Sequence, residues 1–206
     1  MKVEQLNDLV VITNLQRYIK NIRTSLDADK IIVACDKNDR LVMLCQRKLI
    51  HKSYISLTEI TISQLILKDD KSIDHCIVGH CDYYYESELL RSKSIFLDEI
   101  SVHMGTNIDR GYGSLMIRYL QAVAKKSLTT QIKGVFVPFF PGNESTARNF
   151  YIRNGFKFIN SKENGCTFII KKRYAFTPLK TKNLLGIDFS LDTFKRHEKE
   201  EIFDYL

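Results

Sequence analysis

Two glycines around one aromatic residue, Gly111-Tyr112-Gly113, stand between an apolar stretch and a helical pattern. Residues 95–102 before them are mostly apolar and β-rich, and apolar residues recur at helical spacing from Tyr112 to Val123. Glycine lets backbone N–H groups approach a ligand that a Cβ atom would keep away. A helix N-terminus adds the positive end of the helix dipole and unpaired N–H donors. The sequence therefore predicts a strand–loop–helix unit whose loop cradles an anion such as a pyrophosphate.

The hydrophobic pattern divides the chain into a strand-rich first part and a second part in which strands and helices alternate. The first part predicts a helix over residues 6–22 and strands over 30–35, 41–45, 55–62, 76–85 and 94–103. The pattern up to residue 67 fits either a strand or a helix. The second part predicts helices after Gly111 and after an N-cap at Asn143, and strands over 132–140, 156–159 and 167–171. Gly155 is expected to end the second of these helices. This order favours an α/β sandwich with a mixed sheet.

Composition and charge suit an ordinary globular domain of 206 residues with a formal net charge of +7. No apolar run approaches the roughly 18 residues of a membrane span. The N-terminal residues mix acidic and amide side chains with apolar ones, so a secretory signal is not expected and the predicted location is cytoplasmic. The positive charge is compatible with nucleic acid, but a solvated surface with a phosphate-rich ligand is the favoured interpretation.

The cysteine pattern argues against disulfides and against a metal site. The chain has five cysteines, an odd number, and no CxxC pair. The run from His75 to Cys81 offers four potential zinc ligands. Strand alternation would place His75 and Cys81 on one face, and Cys76 and His80 on the other. The prediction is therefore free thiols and no metal.

Two motifs now resemble those of the GCN5-related N-acetyltransferases. In that family's acyl-CoA loop, Gln or Arg is followed by two arbitrary residues, a glycine, one further residue, and then glycine or alanine; here the glycines are Gly111 and Gly113, and the leading position falls on Ile108. The second motif runs from Asn143 through Tyr151 to Gly155-Phe156 with the family's usual spacing. The resemblance covers about residues 94–158. It implies a mixed, mostly antiparallel central sheet with helices on both faces.

The resemblance also implies which residues bind acetyl-CoA, the acyl donor. Backbone groups of the strand before the loop would bond the pantetheine arm, those of the loop would hold the pyrophosphate, and Asn143 would contact the pantetheine. The expected binding residues are Ile100, Ser101, Val102, Ile108, Asp109, Arg110, Gly111, Tyr112, Gly113, Ser114 and Asn143.

The catalytic roles implied by the resemblance are an acid and a base. Tyr151 would protonate the leaving thiolate, since a phenol's pKa of about 10 lies slightly above that of a thiol. Glu99 or Asp98 would accept the proton of the amine through a water, with Glu99 preferred. In a regular strand Glu99 and His103 share one face and Asp98 lies on the other with Val102; a bulge would change this.

The predicted function is an acetyl-CoA-dependent N-acetyltransferase that moves an acetyl group directly to a primary amine of a small molecule, peptide or protein. Two alternatives stay open: acetylation of an RNA-borne amine such as aminoacyl-tRNA, and a non-catalytic CoA-binding module. The acetyltransferase domain is expected over residues 1–174. Residues 175–206 are expected to form an extension ending in a helix that begins near Ser190. The acceptor amine, the acyl chain length and a homodimer are left open.

Overall fold

The computed structural model describes residues 1–36, 38–50, 56–87, 93–103, 110–127, 129–135, 144–158, 165–169, 181–184 and 187–190. A short 3₁₀ helix, Val3–Asn7, precedes the first α-helix. The helices and strands in chain order are α1 Leu9–Ser25, β1 Lys30–Cys35, β2 Leu41–Ile50, β3 Ser56–Leu67, β4 Ile73–Ser87, β5 Lys93–Val102, α2 Tyr112–Lys126, β6 Gln131–Val135, α3 Glu144–Arg153, β7 Lys157–Phe158, β8 Gly165–Ile169, β9 Thr181–Leu184 and β10 Ile187–Ser190. No helix in these ranges combines the length and apolarity needed to cross a membrane.

The strands described form one sheet in the order β7-β8-β6-β5-β4-β3-β2-β1-β10-β9. The β5–β6 and β1–β10 pairs are parallel, and the other pairs are antiparallel. The β5–β6 pair is parallel because α2 carries the chain back across the sheet. The predicted mixed, mostly antiparallel sheet is confirmed.

Each face of the sheet carries its own apolar core and its own helix. In β1, Ile32 and Ala34 join a core that includes much of α2, whereas Val33 joins a second core that includes Leu15 of α1. Side chains alternate between faces along a strand, so a strand buried on both faces reads as a continuous apolar run. The two sides are called the α2 face and the α1 face below. The prediction of helices on both faces of the sheet is confirmed.

Two β-bulges reset the alternation in the middle strands. The β3–β4 register jumps between Ile62 and Ser63 and leaves Val78 as the extra residue. The β4–β5 register jumps between Asp82 and Tyr83 and leaves Asp98 as the extra residue. An extra residue bends its strand and shifts which later side chains face each side.

The first bulge corrects the predicted arrangement of the His75–Cys81 run. His75 pairs with Leu65 of the α1-face core, and His80 pairs with Thr61, whose other neighbour Cys45 belongs to the same core. Both histidines therefore lie on the α1 face. The expectation that His75 shares a face with Cys81 was wrong, because it assumed a regular strand.

Several element predictions have clear outcomes. The ambiguous stretch up to residue 67 is strand, and Gly155 ends α3 with a left-handed φ of 87°, as predicted. The tail contributes a hairpin, β9–β10, that pairs with β1 and was not predicted. The predicted strand residues 136–140, the N-cap Asn143 and the helix expected beyond Ser190 lie outside the described residues.

Candidate functional site

Gly111 ends the loop and caps α2 in a conformation that suits glycine. Its φ is 82°, in the left-handed region, and its carbonyl accepts the first helical bond from the N–H of Leu115 at 2.9 Å. As N-cap it supplies no side-chain acceptor, so it caps none of the first-turn N–H groups of residues 112–114. Such a terminus suits an anion. Ile108 and Asp109, the other predicted loop contacts, lie outside the described residues.

Gly113 is the point at which β5, α2 and α3 meet. A Cβ atom added there would lie 3.0 Å from two ring carbons of Phe150 and 3.7 Å from Cγ2 of Val102. The glycine therefore permits α3 and the end of β5 to approach the first turn of α2. This packing role was not recognised from the sequence, which suggested only a ligand-facing role for Gly113.

The Tyr112 side chain anchors the loop to the end of β1. It is 1% exposed, and its hydroxyl donates to Oδ2 of the fully buried Asp36 at 3.1 Å. The other carboxylate oxygen of Asp36 accepts the N–H groups of Asn38 and Arg40. Burial raises the pKa of Tyr112, so the hydroxyl stays a donor near neutral pH. Only the backbone of Tyr112 can therefore serve as the predicted ligand contact.

Arg110, the predicted charge contact, begins the described part of the loop. Its Nη1 atom lies 3.5 Å from Oε1 of Gln64 on β3, and its guanidinium also interacts with the Tyr112 hydroxyl. The arginine thus lies beside the N-terminus of α2 and adds positive charge to that end of the helix.

Asn154 ties the end of α3 to the start of α2. Its Nδ2 group donates to Oγ of Ser114 at 3.2 Å and to the carbonyl of Phe150 at 2.8 Å. Its own carbonyl accepts from Gln121 of α2 at 3.1 Å. The sequence alone did not reveal this link, although it shows an asparagine directly before the helix-ending Gly155.

Tyr151 lies on α3 and packs against the α2-face core. Its ring makes edge contacts with Phe150 and Phe156, with centroids 5.3 and 5.4 Å away. Burial raises its pKa, with smaller contributions from Cys166 and Cys81. Ile100 of β5 packs against the same core, so Tyr151 and Ile100 lie on the same face of the sheet. The structure therefore places a buried, protonated phenol on that face.

The second half of β5 is free on one side within the described residues. Pairing with β6 covers residues 94–97, and Val135, the last residue of β6, pairs with Gly165 but with no described residue of β5. Ile100 and Val102 pack against the α2-face core. Among the described residues, their backbone pairs with β4 alone.

The α1 face of the same strand segment carries the candidate bases. Glu99 pairs with Asp82, and its Oε1 lies 3.2 Å from Nε2 of His80. Asp98, the bulge residue, is exposed. Burial is the largest cause of a raised pKa at Asp82, and the negative charge of Glu59 on β3 raises this pKa further. His80 is a residue of this cluster that the sequence analysis considered only as a metal ligand.

The remaining chemistry of the described residues is simple. No group of three or more His, Cys, Asp or Glu side chains among them is arranged to hold a metal ion. Their five cysteines are all free thiols.

Comparison with known proteins gives similarity to solved structures only. No family model and no curated protein matches the chain. The anti-CRISPR protein AcrVA5 matches at 18% identity and a TM-score of 0.37, over 44% of this chain and 90% of that one. AtaTR bound with AcCoA matches at 14% identity and a TM-score of 0.41, over 55% and 67%. GCN5 from Tetrahymena matches at 13% identity and a TM-score of 0.34, over 54% and 69%.

Proposed function

We propose that this chain is a GCN5-related N-acetyltransferase that transfers the acetyl group of acetyl-CoA directly to a primary amine. One observation carries the proposal: at Gly113 the end of β5, the first turn of α2 and helix α3 converge. Within the described residues these three elements offer a strand segment paired on one side only, a helix N-terminus and a buried phenol. A CoA thioester needs a contact of each kind, for its pantetheine arm, its diphosphate and its leaving sulfur.

Binding of the donor uses the backbone more than side chains. The N–H groups of residues 112–114, the left-handed turn at Gly111 and the charge of Arg110 suit the diphosphate. Among the described residues the backbone of Ile100, Ser101 and Val102 pairs only with β4, and its other edge suits the amide groups of the pantetheine arm. Ile108, Asp109 and Asn143 complete the proposed contacts.

The chemistry needs one proton acceptor and one proton donor. The acceptor substrate arrives as an ammonium ion and must lose a proton before its nitrogen attacks the thioester carbonyl. Glu99, through a water, is the proposed proton acceptor, with Asp98 as the alternative. Collapse of the tetrahedral adduct breaks the carbon–sulfur bond, and Tyr151 gives its proton to the thiolate. The phenol regains a proton from the nitrogen, so the whole reaction releases one proton.

The test is thiol release from acetyl-CoA over a panel of amines, with Tyr151→Phe as the variant. Loss of a positioned acid should lower kcat by about 10²- to 10⁴-fold while the Kd for acetyl-CoA changes little. Tyr119→Phe is the matched control, because Tyr119 is also a buried tyrosine of the α2-face core and its hydroxyl bonds Gln46. Equal turnover of the wild type and Tyr151→Phe would remove Tyr151 from the mechanism.

The same assay separates the alternative functions. An RNA-borne acceptor predicts turnover that falls steeply with salt, because phosphate contacts release counterions. A non-catalytic module predicts acetyl-CoA binding by calorimetry without thiol release for any amine.

A further inference from the structure

His80 and Glu99 form a pair across two strands on the α1 face. His80 pairs with Ser101 and Asp82 pairs with Glu99, so His80 and Glu99 are diagonal neighbours on adjacent strands. Their side chains meet at 3.2 Å between Nε2 and Oε1. The imidazole is 30% exposed and the carboxylate 49%, so both are reachable from solvent yet partly enclosed.

The position of the pair follows from the two bulges. Without the extra residue Val78, His80 would point to the α2 face, where Cys81 now lies. Without the extra residue Asp98, a chain of the same length would carry Ile100, and not Glu99, on the α1 face. The pair thus lies across the sheet from Tyr151 and next to Ile100, where the donor strand edge begins.

The surroundings of His80 are mostly acidic. Glu99 faces it from β5, His103 from directly after β5, Asp82 from β4 itself and Glu59 from β3. The His103 ring is 6.3 Å away, centroid to centroid, in an edge arrangement. The Glu59 carboxylate forms a salt bridge with Arg47 on β2. Among these carboxylates, that of Glu99 comes within 3.2 Å of Nε2 of His80.

We propose that His80 is a positioning residue for proton removal: it takes over the proton that the Glu99 carboxylate accepts from the amine. This inference rests on the proposed function. In the step, His80 starts as a neutral imidazole with its proton on Nδ1; the ammonium N–H bond breaks, and its proton passes to Glu99 and then to the unprotonated Nε2 of His80. The result is a neutral amine, a carboxylate and an imidazolium, held as an ion pair. The imidazolium returns the proton to solvent after the product leaves.

The His80–Glu99 pair takes up a proton from the ammonium ion more favourably than a carboxylate alone. In water an imidazole titrates about two pH units above a carboxylate, and therefore takes a proton from an ammonium with a smaller penalty. The benefit exists only for an amine that arrives protonated. An amine of low pKa, already neutral at the assay pH, gains nothing from the pair.

The experiment compares His80→Gln with wild type on two acceptors, one alkylamine of high pKa and one amine that is neutral at pH 7. We expect kcat/KM for the alkylamine to fall about 10- to 100-fold at pH 7, and the loss to shrink as the pH rises. The neutral amine should lose less than threefold, and the Kd for acetyl-CoA should stay unchanged. His75→Gln is the control: it removes a histidine of the same strand and face, which bonds Tyr18 of α1. It should behave as wild type.

The outcomes distinguish this inference from the proposed function. Equal losses for both amines in His80→Gln, or no loss for either, would overturn the role of His80 while leaving acetyl transfer intact. A wild-type protein that releases no thiol from acetyl-CoA with any amine would instead overturn the proposed function. Thermal unfolding of each variant identifies a loss caused by misfolding, and Glu99→Gln combined with His80→Gln should cost no more than Glu99→Gln alone.

Discussion

Replacing Gly111 by alanine tests the link between the left-handed turn and the anion site. At a φ of 82° an alanine pays about 1–2 kcal/mol that glycine does not. For a chain of this size each kcal/mol lowers Tm by about 2–4 °C, so Gly111→Ala should lower Tm by about 2–8 °C. The strained turn should also tilt the first N–H groups of α2, and the Kd for acetyl-CoA should rise about 10-fold or more.

Two further variants separate strain from binding. Gly155 has nearly the same conformation, with a φ of 87°, but follows α3 and supplies none of the first-turn N–H groups of α2. Gly155→Ala should therefore show a similar loss of Tm with an almost unchanged Kd for acetyl-CoA. Gly111→Asn adds a side chain that tolerates this conformation and should lose less of both. Differential scanning fluorimetry and calorimetry measure the two quantities; an unchanged Tm in Gly111→Ala, or equal changes of Kd at both glycines, would refute the reasoning.

The remaining predictions concern buried tyrosines. Tyr112→Phe removes the hydroxyl that donates to Oδ2 of the buried Asp36 carboxylate. Loss of this hydrogen bond should lower the free energy of unfolding, measured by urea titration, by about 1–3 kcal/mol. Tyr84→Phe, on a residue stacked against Phe96, is the control and should change it little. Burial raises the pKa of Tyr83 and Tyr151 in the folded state, so their contribution to stability is complete below about pH 10, the unfolded value, and is lost as the pH rises further. Thermal unfolding over an alkaline pH series should show this decline, and a Tm that stays constant would contradict it.

Local patterns in the sequence predicted the elements that carry the site. The change from a strand pattern to a helical one around Gly111 predicted α2 correctly. Apolar residues recur at helical spacing along this helix, and Gly111 directly precedes it. Gly155 was equally informative, since a glycine directly after a helical pattern commonly takes the left-handed conformation. These signals lie within a few residues of the features that they predict.

The features that the sequence did not predict depend on contacts between distant strands. A bulge adds one residue to one strand, and single-sequence alternation does not show which residue is extra. The alternation of apolar residues in β5 changes from odd positions, Ile95 and Leu97, to even positions, Ile100 and Val102. Only the pairing with β4 identifies Asp98 as the extra residue. The His80–Glu99 contact follows from that register, and the Tyr112–Asp36 bond joins residues 76 positions apart.

The order of the strands has a consequence for self-association. Within the described chain the two margins of the sheet are β7, with two residues, and β9, with four. So short a margin presents few unsatisfied main-chain groups to a second molecule, and natural sheets use this device against edge-to-edge polymerisation. The long apolar strands are all interior, because the terminal hairpin shields β1. Among the described residues, a second copy could therefore extend the sheet only along these two short strands.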